Sequence, residues 1–399
     1  MRSGANFYEE AGFDFNQPAC DEADLQFLDD LMEMLKQARP ITEIHAMVHV
    51  RHPRAALLKL IHFFSAEFYL SADIEPDRHG RVSGQGVHVH HRKYLTYPVT
   101  DVLGDLLRIQ LGTNPGIHPK EVVFTCDFDI LNIWDAVGTT GTFKILFKQL
   151  VKGNWRRMIR NLVSIRKGRS NPVFNPYLND DMFAKNYGLA GGDVTVRNIA
   201  FWLMTRDDEQ YDVCNDFSQP AVRHFIRQLD ESGVAFGLHP GYDALYQPAR
   251  LKRQMGAFEN TFGRRAQMAR LHYLKFFRQD DLSALDPLGI QEDYSFGFAD
   301  DLMFRGGRSF PARMWCFREQ AVMQVKSYPL TLMDGTFSDY LRVNGKQAKE
   351  LALEKISRAM MYGHTIVLLW HNRSMVSDGI PGNYHPRLFR SVYHHIFGK

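Results

Sequence analysis

The run VVFTCDFD, Val122–Asp129, decides how the rest of the chain is read. Its first half is apolar and rich in β-branched and aromatic residues, as a buried strand requires. Side chains alternate along a strand, so Val123, Thr125, Asp127 and Asp129 share one face. Two carboxylates at the end of one face are costly unless something cationic lies between them, and a metal ion is the simplest candidate. A turn or helix N-cap explains one aspartate well and two less well.

Other polar residues follow apolar runs in the same way. His239 ends GVAFGLH and precedes Pro240, Arg270 and His272 alternate within ARLHYLKF, and His371 ends TIVLLWH. Strand-end carboxylates and imidazoles, far apart in sequence, are what a barrel enzyme uses to build a metal site at one rim. RNIAFWLM is a further strand. The intervening segments read as helices: SQPAVRHFIRQLDESG, with a Ser cap, an early Pro and a closing Gly; PARLKRQMGAFENTFG; the short DDLSALDPLG; and KQAKELALEKISRAMMYG. The alternation predicts parallel β-structure with crossover helices, as a (β/α) barrel or an open doubly wound sheet.

Upstream, DEADLQFLDDLMEMLKQA has helical spacing and stops at Pro40, while ITEIHAMVHV alternates like a strand. AALLKLIHFFSAEFYL reads as a helix. GVHVHHRKY reads as a short strand with His88 and His90 on one face, a weak metal signal. VTDVLGDLLRIQLG is an amphipathic helix. The expected division is an N-terminal α/β region over residues 1–118, without a legible catalytic pattern, and a catalytic part over 119–399. In MFRGGRSFP, the two glycines after Arg305 would allow the backbone close to a ligand. The segment Lys144–Arg169 holds nine basic and no acidic residues. It reads as a solvated helical face, or as a patch for a phosphate-bearing ligand or an anionic membrane surface.

Composition narrows the class. A net charge of +3 over 399 residues does not point to nucleic acid. The four cysteines lie far apart with no CxxC pair, so neither a disulfide framework nor a zinc finger is suggested. No apolar stretch approaches the roughly 20 residues that span a bilayer. The polar, acidic start has no secretory core, so a cytoplasmic setting is expected.

The order TCDFD, GLHPGY, RLHYLKF and LLWHN resembles the polysaccharide deacetylases with a NodB-type domain, carbohydrate esterase family four. The resemblance covers roughly residue 119 to the end and is closer to a divergent branch with an N-terminal extension. It implies a distorted (β/α)7 barrel and metal-dependent removal of an acetyl group from a sugar, in surface polysaccharide biosynthesis. Asp127 is then the base and Asp129 a metal ligand, with these two roles exchangeable. His239 is a second ligand. The family's second histidine, four positions on, is replaced by Asp243, so His272 is the candidate third ligand and Asp243 the fallback. Arg270 orients the base, and His371 is the general acid. Arg305, Tyr242 and Asn372 are candidate substrate contacts. One divalent ion, zinc first, and an acylated sugar are the implied cofactor and partner. A catalytically degenerate carbohydrate-binding protein and a sugar deformylase or amidase are the alternatives.

Overall fold

The computed structural model describes residues 21–48, 54–70, 74–113, 120–183, 194–208, 210–376 and 383–398. Nine strands form one sheet: β1 (Lys120–Phe128), β2 (Val194–Leu203), β3 (Ala235–His239), β4 (Met268–Ala269), β5 (Glu292–Asp293), β6 (Ala312–Cys316), β7 (Ala321–Ser327), β8 (Leu332–Met333) and β9 (Thr365–His371). Their order is β6-β7-β5-β4-β3-β2-β1-β9-β8. Every neighbouring pair is parallel except the β6–β7 hairpin. The fold is thus mixed α/β. Among the described residues no ladder joins β6 to β8, and Leu330 N–H, just before β8, donates to Phe296 O just after β5 at 2.8 Å.

Alternation along β1 sorts its side chains between two apolar layers. Val122, Phe124, Cys126 and Phe128 pack outward with the helices, whereas Val123 packs inward with Ile199, Phe201, Val367 and Leu369. Thr125 and Asp127 continue the inward face, both buried. Phe128 stacks on Trp202 at 4.4 Å, and Phe124 packs on Phe389 and Tyr393. Burying a side chain of this size stabilises by about 1.5–3 kcal/mol.

The helices are α1 (Glu22–Lys36), α2 (Ile41–Val48), α3 (Arg54–Ser65), α4 (Val99–Gln110), α5 (Ile133–Val151), α6 (Trp155–Lys167), α7 (Pro220–Glu231), α8 (Pro248–Phe262), α9 (Gly345–Tyr362) and α10 (His385–Phe397). Each of α7, α8 and α10 opens on a proline in its first turn, where a missing N–H costs nothing. The residue before α7 is Gln219, which makes no side-chain cap, so Ser218 is not the cap its position suggested.

Upstream, the expected strands are absent among the described residues. ITEIHAMV is the helix α2, and residues 49 and 50 of that stretch lie outside the description. Its apolar residues Ile41 and Ile44 also fit a helical stripe, and Ile44 is fully buried. GVHVHH contributes one bridge, Leu70 to Val87, followed by a single helical turn over Val89–Arg92. His88 and His90 are exposed on that turn. Helices α1 to α4 enclose an apolar cluster that also takes in Phe298, Met303 and Tyr362 from the sheet-bearing part.

Arg305 sits in the seam between these parts. Its Nε donates to Glu67 Oε1 at 2.6 Å and its Nη2 to Glu67 Oε2 at 3.2 Å, with both residues buried. Gly306 and Gly307 take positive φ angles of 68° and 59°. A Cβ on Gly307 would lie 2.7 Å from Val99 Cγ1. The close approach that these glycines permit is to α4, not to a ligand.

Candidate metal centre

Parallel strands place their C-terminal ends on one side of the sheet, and register aligns those ends. Asp127 lies directly opposite His371 on β9, and Leu203 on β2 opposite His239 on β3. Asp129 follows β1 by one residue. Arg270 and His272 do not share a strand face as the sequence suggested. β4 stops at Ala269, and His272 opens a tight turn in which Tyr273 and Leu274 have φ of 61° and 53°. Consecutive left-handed non-glycine residues are strained, and such strain concentrates where a side chain must be aimed.

Asp129 is the hub. His239 Nε2 is 3.2 Å from its Oδ1, His272 Nε2 is 3.8 Å from the same oxygen, and His371 Nε2 is 3.8 Å from Oδ2. Ligand atoms of Asp129, His239 and His272 all lie within 4.8 Å of one another, the one such grouping among the described residues. Each ring is held by its other nitrogen. His239 Nδ1 lies 2.5 Å from the Arg270 carbonyl, which can only accept, so this nitrogen carries the proton. His272 Nδ1 meets Asp212 Oδ1 at 2.9 Å, and His371 Nδ1 meets Asp334 Oδ1 at 2.7 Å. Fixing Nδ1–H leaves the Nε2 lone pair free for a cation, and carboxylate or carbonyl partners of this kind accompany metal-bound histidines.

Asp127 is held differently. Its Oδ1 accepts from Arg270 Nη1 at 3.1 Å, and the same Nη1 donates to Thr125 Oγ1 at 2.5 Å. Arg270 is fully buried, its guanidinium lying against the rings of Phe201 and Tyr294. Asp127 Oδ2 faces His239 Nε2 at 3.7 Å.

The electrostatics favour charge at the hub. Burial opposes the Asp129 carboxylate, but His239, His371 and His272 together hold its carboxyl far below the usual range. Burial likewise opposes the His371 imidazolium. The Asp334 carboxylate outweighs that penalty, with Asp129 adding to it, and raises the ring to about 9. Asp334 is itself held low, its burial overcome chiefly by His371.

A divalent ion fits this donor set. Asp129 Oδ1 and His239 Nε2 are buried without a hydrogen-bond partner, a costly arrangement that a bound cation resolves. One carboxylate and two imidazoles form a donor set that could hold a divalent ion.

A cavity of about 160 Å³ opens beside these groups. Asp127, Asp129, His272 and His371 line it together with Arg81, Tyr273 and Tyr340. Arg81 belongs to the N-terminal part and is fixed by Asp77, the Tyr273 carbonyl and the Tyr340 hydroxyl.

Six residues singled out by sequence therefore meet here: Asp127, Asp129, His239, Arg270, His272 and His371. Asp243 pairs with Lys275 instead, outside the grouping around Asp129. Arg305, Tyr242 and Asn372 do not line the cavity. Tyr242 bonds His79 Nδ1 at 3.0 Å and stacks on Tyr211. Asn372 donates to the carbonyls of Ile130 and Tyr177, bracing the loops after β1. Sequence reasoning missed Asp212, Asp334 and Arg81. Asp334 follows the apolar run LTLM and was accessible to the rule that found the others. Asp212 lies in an irregular loop and Arg81 in a turn, where no periodic signal exists.

No protein-family model and no curated protein matches the chain. Among solved structures it is similar to one described as that of a candidate polysaccharide deacetylase from Mycobacterium smegmatis. The two share 15% identity with a TM-score of 0.40, over 70% of this chain and 85% of the other.

Proposed function

We propose that the protein is a metal-dependent hydrolase that removes a short acyl group, acetyl first, from the amino group of a sugar used in surface polysaccharide biosynthesis, on a sheet that closes as a distorted barrel. The observation that carries the reading is the division of labour around Asp129: two fixed histidines on the ion-binding side, an arginine-held carboxylate on one flank, and a carboxylate-held imidazole on the other. The order of the sequence motifs supports the sugar substrate, and so do the tyrosines around the cavity. At about 160 Å³ the cavity is smaller than the roughly 300–1,000 Å³ that encloses a whole drug-sized ligand. It suits the acyl end, with the sugar lying outside.

Asp129, His239 and His272 would hold the ion. When bound, it would supply Lewis acidity toward an acyl carbonyl. Asp127 accepts a proton from water, whose oxygen adds to the carbonyl carbon. Arg270 keeps Asp127 aimed. His371, protonated and oriented by Asp334, gives its Nε2 proton to the departing nitrogen as the C–N bond breaks. Acetate and a free amine result.

Elemental mass spectrometry on purified protein tests this reading first. Near one equivalent of zinc or a similar ion is expected, lost in His239→Ala and in His272→Ala, with chelation abolishing acetate release from N-acetylated sugars. No metal after purification without chelators, and none taken up on addition, would replace the hydrolase by a non-catalytic carbohydrate-binding role.

A further inference from the structure

Helices α5 and α6 form a hairpin that contributes almost nothing to the core. Of their residues only Gln149 and Ser164 are buried. Yet seven of the fifteen exposed large apolar side chains in the described chain lie on it, including Phe143 (78% exposed), Val151 (70%) and Trp155 (57%). Their spacing is ordered. Phe143, Phe147 and Val151 recur every four residues along α5, and Trp155, Ile159 and Leu162 follow helical spacing along α6. Each set therefore forms one stripe.

Cations flank both stripes. Lys144, Lys148 and Lys152 run beside the first, and Arg156 and Arg160 beside the second. No acidic residue occurs from 136 to 179. Between the hairpin and the turn Pro172–Phe174 lies a cavity of about 720 Å³, whose walls combine Ile145 and Phe174 with Lys148 and Lys152. Water does not favour such a surface, and a core does not need it. Exposed aromatic and aliphatic stripes beside Lys and Arg are how a helix lies in the interface of an anionic bilayer, with rings at the acyl boundary and cations among the head groups.

We propose that the α5–α6 hairpin docks the protein on an anionic lipid bilayer. A second copy of the chain is a poor occupant, because self-pairing would set nine cations against nine. Nucleic acid matches the charge but not the apolar stripes. The inference does not depend on the metal centre.

Flotation of the full chain with vesicles provides the test. At low salt the protein should float with phosphatidylcholine vesicles containing phosphatidylglycerol, and remain behind with pure phosphatidylcholine. Phe147→Ser/Trp155→Ser and Lys148→Gln/Lys152→Gln should each weaken binding roughly tenfold or more, at unchanged metal content and melting temperature. Should the apolar variant melt early, brominated lipid gives a second reading on the intact chain. It should quench tryptophan fluorescence, and Trp155→Phe should remove that quenching. No flotation on anionic vesicles at low salt, flotation that survives both double substitutions, or a concentration-dependent dimer abolished by the apolar variant would overturn the proposal. Duplex DNA that outcompetes the vesicles would do so as well.

Discussion

Three imidazoles converge on one carboxylate, but their anchors differ, and the difference separates their roles. Asp212 holds His272, so Asp212→Asn should weaken metal binding about 10–100-fold. Asp334 holds His371, so Asp334→Asn should leave metal in place and lower kcat. Metal titration alongside steady-state kinetics distinguishes them, and the reverse pattern would make His371 a ligand in place of His272. Asp127→Asn should reduce turnover by about 10²–10⁴-fold with metal near normal, because Asp127 bonds Arg270 rather than sitting at the hub. If Asp129→Asn keeps metal and Asp127→Asn loses it, the two roles are exchanged. Strand alternation made Asp127 legible in the sequence, since Val123 and Thr125 mark the same inward face. The anchors were less legible. An aspartate that bonds an imidazole 60 positions away, as Asp212 does with His272, has no local signature.

The long elements were read correctly where their period extends over many residues, as in β1, β9, α8 and α9. A short one was misread: Ile41 and Ile44, three positions apart, fit one helix face and not one strand face. α9 carries one element-level anomaly. Lys355 is buried, donates to Met303 O at 3.0 Å, and lies over the ring of Phe304. Burial lowers its ammonium from 10.5 to about 7. The unfolded chain then binds more protons than the folded one between about pH 7 and 10.5, so this residue's penalty is full below pH 7 and fades as pH rises. Lys355→Met should therefore gain most, relative to the parent, at pH 6 and progressively less toward pH 10. Melting temperatures across that range check it, and a parent–variant difference independent of pH would show that Lys355 keeps its proton in the folded chain throughout.

At the scale of the whole molecule, the two parts share a buried ion pair. Arg305→Met leaves Glu67 unpaired and buried, and should cost about 3–5 kcal/mol in denaturant unfolding, with much of the loss recovered by adding Glu67→Leu. A single-site cost below 1 kcal/mol would mean that water reaches Glu67. The sequence carried no sign of this seam, because Glu67 and Arg305 lie in separate irregular segments. No helix among the described residues is long and apolar enough to cross a membrane. The apolar cluster around α1 to α4 is completed by Phe298, Met303 and Tyr362. On the ribosome those helices emerge before the sheet-bearing part, and their last packing partners are translated much later. At about 5–20 residues per second the delay is on the order of ten seconds or more. During that interval a half-finished greasy surface is on offer to any holdase in reach, so yield in cells should depend on chaperone supply more steeply than the stability of the finished molecule suggests.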